Sequence, residues 1–291
     1  MKEKLHQDQF DHQNEFRITG ISRSGNHAVI NWILGHIQDK EFCFLNCAEP
    51  KFNPYKTCRP LGSEEDSWYT NIPDFNIEEE RKGNFIWKDY LLYSHEDSFL
   101  GPLEHREFKK NRERWIGKAK NRKDILIIRD PFNLFASRRK AGFLLGHEPE
   151  AGPKPMSVHS IRRIYKQHSK EVLGKSNFLK DKVVINFNRW VKNPVYREAI
   201  ALELGLEHTD EGMQEVSRVA GGSSFDGTSI SAAELHRKLE ERWKIYAPDP
   251  AFQGIFDAEL IALSKEIFGE TEALKAILEY SKKEEEYSYP V

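Results

Sequence analysis

The sequence is poor in cysteine, in net charge and in long apolar runs, and each shortage excludes a class of protein. Cysteine occurs three times in 291 residues, as Cys43, Cys47 and Cys58. An odd number of cysteines confined to one segment has neither the paired spacing of a structural zinc site nor that of a disulfide framework, so idle thiols in a reducing compartment are expected. The formal net charge is only -2, with 44 basic against 46 acidic residues. That balance lacks the basic excess of a non-specific nucleic-acid binder, and any anion site must be local. No stretch approaches the about 20 apolar residues needed to cross a bilayer. Residues Met1 to Glu15 are polar and lack the apolar stretch of a secretory signal, so a short tail on a soluble, cytoplasmic protein is expected.

What is present suits a globular chain. Hydrophobic residues make up 38% and aromatic residues 12% of the sequence, enough for a sizeable core, while 31% charged residues point to a well-solvated surface. The length is compatible with one α/β domain covering residues 1–291. Apolar runs of β character lie at Phe16 to Ile21, Phe42 to Leu45, Phe85 to Tyr93, Ile125 to Ile128 and Val183 to Phe187, separated by helical or loop-like stretches. The alternation predicts a central parallel β-sheet flanked by helices on both faces, of the P-loop-containing nucleotide-binding type. Cys47 to Gly83 and Lys140 to Ser157 are rich in Gly, Pro, Asn or Asp, and as long loops they are expected to wall an acceptor site at the carboxyl edge of the sheet. The last third predicts helices over Ser231 to Tyr246 and Asp257 to Tyr280, followed by a charged tail.

The first strand runs into Gly20-Ile21-Ser22-Arg23-Ser24-Gly25-Asn26-His27, which has the glycine spacing of a phosphate loop between a strand and a helix. Such a loop turns several backbone N–H groups, and the positive end of the helix dipole, toward an anion. An ATP- or GTP-hydrolysing loop continues with Lys and Ser or Thr, the latter for Mg²⁺. Asn26 and His27 stand there instead, so no metal is expected, while Arg23 supplies a planar fork for phosphate or sulfate oxygens. A plain strand-to-helix turn capped by Ser24 or Asn26 is the structural alternative.

A second cluster reads Arg129-Asp130-Pro131-Phe132-Asn133-Leu134-Phe135-Ala136-Ser137-Arg138. Arg129 at a strand end and Ser137 on the following helix are suitable donors to a phosphate, and Pro131 suits the first helical turn. Taken alone, this is also an ordinary strand-to-helix junction with a surface ion pair.

Together, in this order, the two motifs resemble those of the PAPS-dependent sulfotransferase superfamily, which uses 3′-phosphoadenosine-5′-phosphosulfate (PAPS). Its 5′-phosphosulfate loop is similar to Ser22 to Asn26, with Ser22 in place of a proline, and its 3′-phosphate motif is similar to Arg129-Asp130-Pro131 with Ser137. Val184-Ile185-Asn186-Phe187 with Trp190 and Asn193-Pro194 resembles a further strand and helix of the family. Gly222-Ser223-Ser224-Phe225 resembles its adenine-contacting turn, where a ring stacked on a base contributes roughly 1–3 kcal/mol. The resemblance implies cofactor contacts from Ser22, Arg23, Ser24, Gly25, Asn26, His27, Arg129, Ser137, Phe187, Ser223, Ser224 and Phe225, with Trp32 a lesser adenine candidate. The family's C-terminal Arg-Lys-Gly element is not matched, because Arg237-Lys238 is followed by Leu239.

The implied reaction is transfer of a sulfuryl group to a hydroxyl or amine, leaving 3′-phosphoadenosine-5′-phosphate. Arg23, His27 and the loop amides would take up the leaving-group charge, and a base must accept the acceptor's proton. The Lys-x-His arrangement of many members becomes Lys88-Asp89-Tyr90 here, and the acidic cluster just beyond offers Glu96 first, His95 second and Asp89 third. Ser94-His95-Glu96-Asp97 also reads as a helix N-cap with acidic residues in the first turn. The expected partners are the nucleotide and an acceptor of carbohydrate or small-molecule type, with no nucleic acid. Two other readings fit the first motif: a magnesium-dependent nucleotide kinase or NTPase, and a non-catalytic nucleotide-binding protein.

Overall fold

A computed structural model describes residues 10–61, 67–144, 156–210 and 239–287. The chain divides into two compact units, Met1–Ile127 with Asn177–Gly222, and Ile128–Ser176 with Ser223–Val291.

The first unit holds a six-stranded sheet of order β3-β2-β4-β1-β5-β6. Its strands are β1 (His12–Gly20), β2 (Phe42–Leu45), β3 (Trp68–Thr70), β4 (Lys88–Glu96), β5 (Ala119–Ile128) and β6 (Lys182–Asn186). β1 lies parallel between β4 and β5, with Gly20 opposite Glu96 and Thr19 opposite Leu126. β2 runs parallel to β4, whereas β3 pairs antiparallel with β2. The sheet is therefore mixed. β3 lies inside the stretch read as a loop, because three residues give too short a period for alternation to register. That same stretch also contains helix α2 (Ile77–Lys82), started by the Asn76 side chain on Glu78 N and ended by Gly83 in the left-handed region.

β1 is buried along almost its whole length, as expected of a central parallel strand. It nevertheless carries Glu15 and Arg17, and both are paired. Glu15 accepts from Tyr93 Oη at 2.7 Å and from Arg122 Nε at 2.9 Å, and it also meets Arg112. Burial alone would push this carboxyl up, but the His12 ring 3.7 Å away and the Arg112 and Arg122 charges hold it far below the usual range. Arg17 grips Asp124 through Nε at 2.6 Å and Nη2 at 2.9 Å, and it donates to the Leu103 carbonyl at 2.8 Å. These bonds fix β1 against β5 and against α3 (Arg106–Ile116), which supplies Arg112.

Cys43 and Leu45 of β2 and Leu91 and Tyr93 of β4 join Tyr55 and Phe108 in one apolar cluster. Lys88, at the start of β4, is buried, and its ammonium reaches Glu80 of α2 at 2.8 Å. It is the one buried lysine of the described residues, and its carboxylate partner is buried too.

The second unit is built from helices: α4 (Pro131–Lys140), α5 (Val158–Val172), a 3₁₀ turn (Arg242–Ile245), α8 (Ala258–Phe268) and α9 (Glu272–Tyr287). The two helices numbered between them, α6 (Phe187–Lys192) and α7 (Pro194–Leu204), belong to the first unit. Phe132, Phe135, Tyr165, Phe252 and Phe256 form the aromatic centre of the second unit, with Phe132 and Phe256 ring centroids 4.8 Å apart. The helix expected to run through Tyr246 is a 3₁₀ turn over its last residues, and the one expected over Asp257 to Tyr280 is broken by Gly269 at positive φ.

Candidate functional site

The loop after β1 is tightly built. Helix α1 (Asn26–Gly35) starts at Gly25, whose φ of 90° lies in the left-handed region. Arg23 has a φ of 78°, unusual for a residue with a side chain, and Ser24 N closes a turn onto the Ile21 carbonyl at 2.9 Å. Two close approaches require glycine. A Cβ on Gly20 would overlap the Asn26 side chain, and one on Gly25 would overlap the Phe187 ring. Phe187, the first residue of α6 just after β6, thus presses on the loop and also stacks on Trp190, at 5.6 Å between centroids. Trp32 of α1 is buried and meets the Trp190 ring edge-on, so it belongs to the core.

β4 delivers its end to this loop. The structure extends that strand three residues beyond the expected Tyr93, so His95 and Glu96 lie on it, and the N-cap reading of Ser94 to Asp97 does not hold. Glu96 accepts from Ser22 Oγ at 2.7 Å and from Asn26 Nδ2 at 2.6 Å, joining both ends of the loop. Asp97 Oδ1 accepts from Ser22 N at 3.0 Å. His95 is buried, and its Nδ1 lies 2.7 Å from the Ala48 carbonyl. A carbonyl only accepts, so Nδ1 carries the proton there. Burial pulls this imidazole down to about 4, keeping it neutral at pH 7.

The third base candidate fares differently. Asp89 sits at the start of β4, at the sheet's opposite edge, where its carboxylate accepts from Glu41 N at 3.0 Å. Seven residues of extended strand separate it from Glu96, roughly 23 Å, so the structure does not bring it to the loop.

β2 also ends at this edge. Asn46 follows it and faces His27 of α1, with Oδ1 3.1 Å from Nε2. Cys47 is next, its backbone N–H donating to Ser94 Oγ at 2.8 Å. Burial, and then the nearby Glu96 charge, push its thiol up to about 12, so it is no thiolate at neutral pH.

In the second unit, Arg129 follows the end of β5 and is buried. Its Nη2 donates to the Leu239 carbonyl at 2.6 Å, and its own carbonyl accepts from Tyr165 Oη at 2.8 Å. Asp130 caps α4 by accepting from Asn133 N at 2.9 Å, with Pro131 in the first turn as the sequence predicts. Ser137 is fully buried, and Arg242 Nη1 donates to its Oγ at 3.2 Å. Sequence reasoning missed Arg242. Its only signal was a lone Arg-Trp pair in a predicted helix, whereas burial of its side chain beside Ser137 is a tertiary property. Three buried guanidinium groups, of Arg129, Arg138 and Arg242, thus belong to this unit.

Ser223, Ser224, Phe225 and the Arg237-Lys238 pair lie outside the described residues. Among the described residues no helix is long and apolar enough to cross a membrane, and no group of three His, Cys, Asp or Glu side chains is arranged to hold a metal ion.

No protein-family profile matches the chain, and no curated protein matches its sequence. Among solved structures, mouse sulfotransferase SULT7A1 complexed with PAP is similar, over 92% of this chain and 89% of that one, at 15% identity and a TM-score of 0.49. At that level no residue's role carries across from it.

Proposed function

We propose that this chain is a sulfotransferase that moves the sulfuryl group of PAPS to a hydroxyl or amine, within a single catalytic domain. The observation that carries the reading is the loop after β1: a glycine-limited turn opening a ten-residue helix, with Arg23 in it and no Lys-Ser/Thr pair for a magnesium nucleotide. Arg129-Asp130-Pro131 and Ser137 support it, as the motif that in this superfamily accompanies such a loop.

In the proposed roles, Ser22, Arg23, Ser24, Gly25, Asn26 and His27 bind the 5′-phosphosulfate end. Arg129 and Ser137 bind the 3′-phosphate, joined by Arg242, which already reaches Ser137. Ser223, Ser224 and Phe225 receive the adenine. Phe187 acts by holding Gly25 in place rather than by touching the nucleotide. The acceptor oxygen attacks sulfur, the bond from sulfur to the bridging phosphate oxygen breaks, and the electron pair stays on the phosphate, where Arg23 and the loop amides stabilise it. Glu96 takes the acceptor's proton. It is favoured over His95, because His95 is buried with its Nδ1 engaged by Ala48. No metal enters the step. The free thiols Cys43, Cys47 and Cys58 suit a cytoplasmic setting.

The test is release of 3′-phosphoadenosine-5′-phosphate from PAPS across a panel of sugars, phenols and amines, with a chelator present. Acceptor-dependent release supports the reading. Magnesium-dependent turnover of ATP with no use of PAPS would overturn it in favour of a kinase or NTPase.

A further inference from the structure

Asn46 is held in one orientation from every side. Its backbone N–H donates to the Ser67 carbonyl at 3.0 Å and its own carbonyl accepts from Arg59 N at 2.8 Å. Its side-chain Nδ2 donates to the Arg59 and Pro60 carbonyls, both at 3.2 Å. Carbonyls only accept, so flipping this amide would set its oxygen against two others. Oδ1 is therefore the atom that faces His27 Nε2, at 3.1 Å. An amide oxygen cannot donate, and the hydrogen between them belongs to Nε2.

A neutral imidazole carries one ring proton. With that proton fixed on Nε2, the lone pair is left on Nδ1, the ring nitrogen bonded to Cγ. His27 is the second residue of α1, on the turn where a phosphate group is proposed to sit. A phosphate oxygen within hydrogen-bond reach of Nδ1 meets a lone pair, which is repulsive, unless Nδ1 takes a proton and becomes a donor.

We infer that Asn46 is a positioning residue that holds His27 in its Nε2–H tautomer, so that binding of the nucleotide's 5′ end is coupled to uptake of one proton at Nδ1. This rests on the sulfotransferase reading for the identity of the anion, while the tautomer rests on the Asn46 geometry alone. The ionisable side chains on the adjoining elements are Arg23 in the loop, Glu96 and Asp97 at the end of β4, and Cys47, Glu49 and Arg59 after β2. Glu96 is shared between Ser22 and Asn26, and Glu49 lies 3.8 Å from Arg59. After transfer, the imidazolium remains beside the new charge on the leaving phosphate, and the proton departs with the product.

Two measurements on the full chain test this. Nitrogen-15 spectra of the histidine rings in the free protein should show His27 as the Nε2–H tautomer at pH 8. Calorimetry of 3′-phosphoadenosine-5′-phosphate binding at pH 8, in buffers of different ionisation enthalpy, should show uptake of about one proton per nucleotide. His27→Gln should abolish the uptake. Asn46→Asp, which offers Nε2 a carboxylate and stabilises the imidazolium before the nucleotide arrives, should reduce it at least two-fold. An Nδ1–H tautomer, or binding to the wild-type chain without proton uptake, would overturn the inference. Should Asn46→Asp fail to fold, because it sets a carboxylate oxygen against the Arg59 and Pro60 carbonyls, the wild-type spectrum and the His27→Gln comparison still decide. Absence of any nucleotide binding counts against the sulfotransferase reading, and the ring spectrum then judges Asn46 by itself.

Discussion

Arg23 combines a strained backbone with the charge proposed to hold the donor, and two substitutions separate those properties. Its φ of 78° costs a residue with a Cβ about 1–2 kcal/mol, whereas glycine adopts it freely. Arg23→Ala removes the guanidinium and keeps the strain. Arg23→Gly removes both, at the expense of a more flexible unfolded chain that takes back some tenths of a kcal/mol. The glycine variant should therefore be the more stable of the two by about 1 kcal/mol. Both lose the same side-chain contacts, so the difference isolates the backbone. For binding, loss of a charge-assisted pair of hydrogen bonds is worth about 2–3 kcal/mol, or on the order of 100-fold in affinity. Urea unfolding reads the first quantity and calorimetric titration of 3′-phosphoadenosine-5′-phosphate the second. Equal stability of the two variants would refute the strained turn, and wild-type affinity in both would remove Arg23 from the phosphate site.

Other expectations follow from the same geometry. Glu96→Gln should keep the fold within about 1 kcal/mol, because the amide can accept from Asn26 with Oε1 and donate to the Ser22 hydroxyl with Nε2. It should keep nucleotide affinity yet abolish turnover, and wild-type turnover would exclude Glu96 as the base. His95 is pulled down to about 4 by burial, so the unfolded chain binds its proton more readily. Its contribution is complete above about pH 6.5 and is lost as the pH falls toward 4, at most about 3 kcal/mol. His36 is also lowered by burial and adds in the same direction. Unfolding free energies of wild type and His95→Asn between pH 7 and 4 should converge, and parallel curves would contradict the buried neutral ring. Gly25→Ala and Gly205→Ala both place a Cβ at positive φ, but Gly205 faces open space where Gly25 faces Phe187. The first should cost at least about 1 kcal/mol more in urea unfolding, and equal costs would contradict the Phe187 contact.

Much of the site can be read from the sequence because its signals are local. Gly20 to His27 and Arg129 to Ser137 each carry their turn chemistry within ten residues, and the observed caps at Gly25 and Asp130 fall where glycine spacing and Pro131 put them. Runs of β-branched and aromatic residues located the strands around β2 and β6 closely. What escaped is tertiary. Polar residues at the end of β4 read as a loop or cap, because nothing local says that β1 lies beside them and pairs Gly20 with Glu96. The register also separates Asp89 from Glu96, seven residues apart on one strand. Arg242 and Asn46 take their meaning from Ser137 in one case and His27 in the other, contacts that no local pattern announces.

The proposed ligand of this chain is an adenosine carrying phosphates at both its 3′ and 5′ positions. Thermal melting in the presence of 3′-phosphoadenosine-5′-phosphate, ATP or GTP at equal concentration is the test, because a ligand of the folded state raises Tm by an amount that grows with the logarithm of its concentration over Kd. The rise with the bisphosphate, without magnesium, should exceed the rise with either triphosphate. A rise with magnesium ATP or GTP and none with the bisphosphate would contradict it.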